Sequence, residues 1–515
     1  MQSNILSYDL GTGGVKASLY EVDGRCLKNV FIPYETTYPA AGLHEQSPET
    51  WWSAVVESTN KLLAGGGEGK DVFCLALSGH SLGAVPVDKR GRVLRRTTPI
   101  WSDSRAGAEA AEFFKKIDET EWYMATGNGF PAPLYTIFKT MWYKSVEPAM
   151  YSKTFKILGT KDYINFRLTG IMATDSSYAS GSGVYDLRDG HYSPELVAAS
   201  GVRAELLPEI FSSTHVLGEL TKEAAEKLNL PRNVLVICGG VDNACMALGA
   251  RSFSEGRVYT SLGSSSWIAV CSADPILDAR TRPYVFAHVV PGMFTSAVSI
   301  FSGGSSFRWV RDVLCRDLKE RAERSGTEVY DLITEEAATS PVGSKNLLFN
   351  PSLAGGTGLD PSPAIRGAFA GLDLGHTRAD LLRAAMEGIA MNLGVALDEF
   401  RSYRRLSNEM LIVGGGSVSP LWRQIFADVY RMDILKTNIG MEAGALGAAA
   451  VAAVGAGLWN GFGKIDDIHH IEDVRKPIQK NSNRYSTMKP AFDALRKSQA
   501  ALGDILAGLK PVREE

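Results

Sequence analysis

Three things are scarce in this 515-residue sequence: long apolar runs, paired cysteines and any excess of one charge. The longest apolar stretch, Ala443 to Trp459, is mostly alanine and glycine and is too short to span a bilayer, so it predicts a tightly packed helix and no membrane partner. Six cysteines stand at 26, 74, 238, 245, 271 and 315 with no C-x-x-C pair, so neither a zinc site nor a disulfide framework is suggested and reduced thiols in the cytoplasm are the default expectation. Lysine plus arginine (54) nearly balances aspartate plus glutamate (57), so nothing basic points to nucleic acid. The N-terminus lacks the basic flank and apolar core of a secretory signal. His469-His470 and His44-Glu45 lack metal-ligand spacing.

Two common nucleotide motifs are also missing. No G-x-x-x-x-G-K-[ST] occurs, because Gly69-Lys70 is followed by Asp71 and Ala64 stands where the first glycine belongs. The turn after Asp9 does not extend to G-x-G-x-x-G, since Lys16 takes the place of the third glycine.

What is present is an ordinary globular composition, 45% hydrophobic and 22% charged, in a chain long enough for about two to four domains. Strand-like and helix-like segments alternate throughout, which predicts α/β layers. Val72 to Leu77 and Val234 to Cys238 read as buried strands. Ser47-Pro48 starts a helix through Trp51, Trp52, Val55 and Leu62, and Asp380 to Phe400 has the apolar spacing of a core-facing helix.

The most telling segment is Ile5 to Tyr20, ILSYDLGTGGVKASLY, in which a carboxylate ends an apolar run and a Gly-Thr-Gly-Gly turn follows. Strand, turn and returning strand bring backbone N–H groups close to an anion. Asp9 then holds a divalent cation or its water shell, while Thr12, Gly13 and Lys16 face phosphoryl oxygens. An ordinary hairpin closed by Gly13-Gly14 fits these residues equally well.

Other turns share its character. Arg257 to Val270, RVYTSLGSSSWIAV, repeats the strand, small-residue turn and strand, as a duplicated fold would, although short glycine turns also coincide by chance. Met410 to Val413 leads into Gly414-Gly415-Gly416 and then a helix capped at Ser419-Pro420, a junction open to a flat ring or a phosphate. In VLVICGGVDNACMALGA, Asp242 follows Gly239-Gly240 at a strand-to-helix junction, as a general base or simply as a helix N-cap.

Together these segments resemble the FGGY family of carbohydrate kinases, members of the actin-like ATPase superfamily, over nearly the whole chain. Asp9-x-Gly11-Thr12 matches the first phosphate motif, HEQSPETWW (44–52) is similar to E-Q-x-P-x-x-W-W, and PIWSDSR (99–105) to the W-x-D-x-R sugar stretch. GVDNA (240–244) matches the segment with the catalytic aspartate, and GAFAGLDLGHTRADLLRAAME (367–387) fits the C-terminal signature. The resemblance implies two actin-like, ribonuclease H-like α/β domains with a central cleft. Residues 1–250 would carry the sugar side and first phosphate motif, and 251–515 the nucleotide side and a C-terminal helical tail.

The implied activity is transfer of the γ-phosphate of ATP, with Mg2+, to a hydroxyl of a xylulose- or ribulose-like ketopentose. A polyol kinase for glycerol, erythritol or a pentitol, and a non-catalytic actin-like nucleotide binder, are the alternatives. By resemblance Asp242 is the base, and Asp9 positions magnesium with help from Asp242. Gly11, Thr12, Gly13, Lys16, Gly263 and Ser264 serve the phosphates, and Gly415, Gly416 and Ser417 the adenosine. The sugar falls to His80, Trp101, Asp103, Asp242 and Asn243. LSGHSLGAVPVD (77–88) departs from the S-G-Q-M-H-G-A of xylulokinase-like members: His80 replaces the glutamine and Leu82 the histidine, removing one expected partner for a sugar hydroxyl. Arg105 is expected to hold Asp103, and Lys139 and Trp142 to be a solvated charge and helix packing. A homodimer is the assembly that the resemblance suggests.

Overall fold

The first strand, β1 (Asn4–Gly11), alternates little because both of its faces are covered, and it runs straight into a tight turn. It pairs antiparallel with β2 (Gly14–Tyr20) in a register that sets Gly11 opposite Gly14, so the loop is the two residues Thr12 and Gly13. The structure, a computed structural model, describes residues 3–65 and 68–509.

From this hairpin the chain builds β3 (Cys26–Pro33), α1 (Pro48–Leu62) and β4 (Val72–Gly79), the last parallel to β1. Helices α2 (Thr136–Val146) and α3 (Thr160–Thr169) follow, then β5 (Val216–Glu219) and β6 (Leu235–Val241), which leads directly into α4 (Asp242–Gly249). The six strands form one sheet in the order β5-β6-β4-β1-β2-β3.

A second hairpin repeats the theme. Strands β7 (Val258–Leu262) and β8 (Ser266–Ser272) pair antiparallel, and β9 (Glu409–Val413) joins β7 in parallel, as β4 joins β1. Helices α5 (Gly303–Leu314), α6 (Val329–Ala338) and α7 (Arg378–Tyr403) intervene, and α8 (Pro420–Tyr430) and β10 (Asp433–Thr437) follow. Next come α9 (Ala443–Gly455), β11 (Ile471–Arg475) and the long terminal helix α10 (Gln479–Gly508). The strand order β8-β7-β9-β10-β11 mirrors β2-β1-β4-β6-β5 of the first sheet, with the same parallel and antiparallel pairings, so the two glycine turns belong to a duplicated sheet plan.

The chain divides into two compact units. One comprises the chain up to Glu255 with Cys271–Ser296 and Glu442–His469; the other comprises Gly256–Val270, Ala297–Met441 and the chain from His470 onward. Where the sequence suggested one cut near residue 250, the units are discontinuous. The Glu442–His469 piece joins the first unit through α9, whose alanines and glycines pack against α4, β1 and β4. A Cβ at Gly447 would stand 1.9 Å from the Cys245 carbonyl oxygen, so this helix pair approaches at a distance only glycine permits. Among the described residues no helix is long and apolar enough to cross a membrane.

Candidate active site

In the first unit, the Thr12-Gly13 loop is gripped through its oxygens. The Tyr34 hydroxyl donates to Gly11 O (2.6 Å) and the Tyr34 N–H to Gly13 O (3.2 Å). Gln46 Nε2 donates to Thr12 O at 2.7 Å and to Thr36 Oγ1 at 2.8 Å, and Gln46 Oε1 accepts from Trp51 Nε1 at 2.9 Å. Trp101 Nε1 donates to Thr12 Oγ1 at 2.8 Å. With four oxygens held from outside, the turn is a fixed frame and not a loose hairpin tip.

Asp9 stands at the end of β1, opposite Lys16 in the hairpin register. Ser78 Oγ donates to Asp9 Oδ1 at 2.7 Å, and a Cβ on Gly444 of α9 would lie 2.7 Å from Asp9 Oδ2. Burial raises the Asp9 carboxyl above its ordinary range, against the opposing effects of the Ser78 hydroxyl and the Lys16 charge. Asp242 is the first residue of α4, and Val241 is the N-cap, so the N-cap alternative for Asp242 falls. Its Oδ1 accepts from the Asn243 N–H at 2.8 Å. Burial, and then the negative charge of Asp9, push the Asp242 carboxyl up to about 7. Two carboxylates whose charged forms burial disfavours, one of them also raised by the other's charge, form a site that a cation would relieve.

The sugar-side calls separate. Trp101 is more than one-third exposed and walls the space beside Thr12. His80 is buried, its Nδ1 3.3 Å from Thr160 Oγ1 and its Nε2 without a partner. Burial takes its pKa down to about 4, so the ring is neutral at physiological pH. Leu82 adopts a left-handed φ of 61° and buries its side chain in the core.

Asp103 is corrected. It is fully buried, and all four of its acceptor positions are taken: Oδ1 by Arg105 N (3.1 Å) and Nε (2.8 Å), Oδ2 by His44 N (2.7 Å) and Arg105 Nη2 (2.7 Å). It anchors the Trp101 turn and has no lone pair for a sugar hydroxyl; Arg105 holds it as expected. Lys139 is no solvated charge either. Its ammonium is buried and donates to Leu82 O (3.0 Å) and Ile100 O (2.6 Å), tying together the two sugar-side segments. Burial brings its pKa down to about 7, partly offset by Asp103. Trp142 packs as predicted, under the Arg105 guanidinium at 4.8 Å.

In the second unit a cavity of about 560 Å³ brings together Gly263, Ser264, Gly415 and Gly416, with Phe307 and Trp422 as apolar walls. The Gly263-Ser264 turn docks on the start of α5: Gly304 N donates to Gly263 O (2.9 Å), Ser305 N to Ser264 O (3.0 Å) and Arg308 Nη2 to Ser264 Oγ (3.2 Å). Ser417 lies behind the wall, buried, with its hydroxyl on Gly414 O at 2.7 Å, so it shapes the glycine turn instead of facing the cavity. Ser419 caps α8 by accepting from Trp422 N at 3.2 Å.

Sequence profiles of the FGGY family of carbohydrate kinases match this chain twice, the N-terminal domain over residues 4–249 and the C-terminal domain over 258–456. The chain belongs to the FGGY family of carbohydrate kinases. Its FGGY fold is shared with solved structures: a ligand-bound xylulose kinase and a gluconate kinase, both from Lactobacillus acidophilus, each superpose with a TM-score of 0.89 at 25% identity, covering 98% of this chain and 99% of theirs. A xylulose kinase of Staphylococcus xylosus is 28% identical over 94% of this chain and 99% of its own length.

Three site features of this FGGY chain escape a reading of single motifs. Gln46 sits inside the quoted E-Q-x-P segment, Ser78 one residue past the predicted strand, and Gly444 in an alanine-rich helix whose partners no local pattern names. Gln46 alone carried a usable signal, since it stands within the segment similar to the E-Q-x-P-x-x-W-W motif.

Proposed function

We propose that this carbohydrate kinase transfers the γ-phosphoryl group of ATP to a hydroxyl of a ketopentose, with Asp242 as the base. The observation that carries the reading is the Asp242 carboxyl at the start of α4, raised to about 7 beside Asp9. The hydroxyl oxygen attacks the γ-phosphorus, the bond to the β,γ-bridging oxygen breaks, and ADP departs with that electron pair. The hydroxyl proton goes to an Asp242 oxygen, and a carboxyl poised near neutrality accepts it readily while still being substantially ionised at pH 7 to 8. Transition-state charge in such a transfer is loosely spread, so the rigid Thr12-Gly13 frame and the cavity turns at Gly263 and Gly415 contribute mainly by alignment.

Magnesium fits the residues present. Asp9 and Asp242 are two carboxylates disfavoured in their charged forms by burial, and among the described residues no group of three or more ligating side chains forms a cage. One or two carboxylates plus substrate phosphates is the usual protein share of a magnesium site. Bound there, the ion would offset charge on the transferring phosphates.

A neutral sugar is favoured over an aldonate such as gluconate. Three cations packed against the sugar-side segments, Lys139, Arg105 and Lys161, are committed to internal partners, leaving none of the three to pair a substrate carboxylate. Coupled ADP release measured with xylulose, ribulose, gluconate, glycerol and erythritol tests the reading: a ketopentose should give the highest kcat/KM, and gluconate as the best acceptor would overturn it. Asp242→Asn should lower kcat about 10²- to 10⁴-fold while ADP still binds.

A further inference from the structure

Strand β6 is not regular where it approaches Asp242. Against β4, Ile237 faces Ala76 and Gly240 faces Ser78, so one extra residue bulges at Cys238–Gly239. Gly239 has φ +75°, and a Cβ there would stand 2.1 Å from Leu77 O. A bulge removes ladder hydrogen bonds from a buried strand, and the orphaned groups must find other partners.

The N–H groups of Cys238 and Gly239 donate to His215 O (2.9 Å) and Ser213 O (3.0 Å), and the Cys238 carbonyl turns to a buried charge cluster. Lys161 Nζ donates to Cys238 O (3.3 Å) and to Asp162 Oδ1 (2.6 Å), and it pairs with Asp175 Oδ1 at 2.9 Å. Asn165 Nδ2 also donates to Cys238 O, at 2.8 Å. Ser177 is the link to α4. Its Oγ accepts from the Val241 N–H at 2.9 Å and donates to Asp175 Oδ2, which also accepts from Ser177 N (2.9 Å) and Ser213 Oγ (2.7 Å). Lys161, Asp162, Asp175 and Ser177 are all buried. Burial alone would neutralise the lysine, but Asp162 and Asp175 hold it protonated.

Burying three charges costs folding energy that an apolar cluster of equal volume would not. What the ions hold, through Ser177, is the Gly240–Val241 peptide that leads into Asp242. We propose that Lys161, Asp175 and Ser177 form a positioning relay that fixes the Gly240–Val241 peptide, one residue before Asp242, and through it the angle at which the Asp242 carboxylate meets the acceptor hydroxyl. The inference rests on the proposed role of Asp242 as base. Ser177 touches no reacting atom in this account; it orients the residue that does.

Two matched variants test the relay. Ser177→Ala and Ser213→Ala each delete one hydroxyl from Asp175 Oδ2, but only Ser177 also holds Val241 N. The full-length enzyme is assayed with ATP and its best ketose, alongside melting temperature and ADP affinity. Ser177→Ala should lose at least tenfold in kcat with sugar KM and ADP affinity within twofold of wild type. Ser213→Ala should lower the melting temperature comparably and keep kcat. Equal kcat in the two variants, whether both fall or neither does, would overturn the relay. Asp242→Asn in the same assay separates the two readings: if it retains turnover, the base assignment fails; if it does not and Ser177→Ala matches Ser213→Ala, only the relay fails.

Discussion

Trp101 Nε1 donates a 2.8 Å hydrogen bond to Thr12 Oγ1, joining two motifs 89 residues apart in the chain. One belongs to the W-x-D-x-R stretch expected to wall the sugar, the other to the turn expected to face phosphate. The bond makes the two one rigid piece within the first unit. A displaced indole therefore displaces the turn, and alignment for phosphoryl transfer is sensitive to shifts of about 1 Å.

Trp101→Phe keeps the aromatic wall and removes the donor; Thr12→Val removes the acceptor. Each should reduce kcat/KM for the ketose roughly fivefold, the effect of about 1 kcal/mol for one neutral hydrogen bond. The double variant should lose little more than either single one, because both delete the same bond. Steady-state kinetics on the four proteins measure this directly, and fully additive losses would mean that the two residues act independently.

Much of this site could be read before any coordinates. The Asp9 turn, the Gly414–Gly416 junction and the GVDNA helix start each join an apolar run to small residues, and local pattern suffices for such junctions. The sheet duplication was visible only as a faint echo at Arg257 to Val270, since pairing order is a property of distant strands. Asp103 misled for a related reason. Its neighbour Arg105 was predicted to hold it, but its saturation also needs the backbone N–H of His44, 59 residues away. Lys139 and α9 share that cause: a lysine looks solvated and an alanine-rich helix anonymous until the segments that cover them are known. His80 sits between, placed in the expected segment but with an unpartnered Nε2 that no sequence pattern describes.

The corrected role of Asp103 has a clear signature. Asp103→Asn removes the charge that compensates a buried Arg105, also paired to Glu45 at 2.6 Å, and leaves a guanidinium short of one partner. Breaking a buried pair from one side costs about 3 to 5 kcal/mol. The urea midpoint should fall accordingly, with ketose KM rising only through disorder of the Trp101 turn. A variant of wild-type stability with a sharply raised ketose KM would restore Asp103 as a direct sugar ligand.

The cavity of the second unit offers a contrast between two glycines. A Cβ on Gly415 meets nothing within 4 Å, whereas one on Gly304 would stand 2.2 Å from Gly263 O. Gly415→Ala should therefore leave the melting temperature unchanged and weaken ADP binding several-fold by occupying cavity space. Gly304→Ala should lower both, because the Gly263-Ser264 turn has to leave the start of α5. Calorimetric titration with ADP and a thermal melt on each variant decide the point. Unchanged ADP affinity in Gly415→Ala would remove that turn from the nucleotide site.

The raised carboxyl of Asp242 carries a stability prediction whose sign is fixed by linkage. Its pKa is about 7 in the folded protein against an ordinary 3.8. Between those values the folded state binds more protons than the unfolded one, so this group makes stability fall as pH rises from about 4 to 7 and contributes a constant penalty above that. Asparagine does not titrate. Asp242→Asn should thus gain stability over wild type at pH 8 relative to pH 4.5, on the order of 2 kcal/mol once the partial solvent contact of the residue is allowed for. The measurement is a pair of urea titrations at each pH in chelator-treated buffer. Added magnesium should narrow the gap at pH 8 by stabilising the ionised wild-type carboxylates, since a ligand that binds only the folded state raises its stability. A wild-type-to-variant difference that does not change between pH 4.5 and 8 would mean that Asp242 titrates as an ordinary surface carboxylate, and the proton-accepting role proposed for it would lose its electrostatic basis.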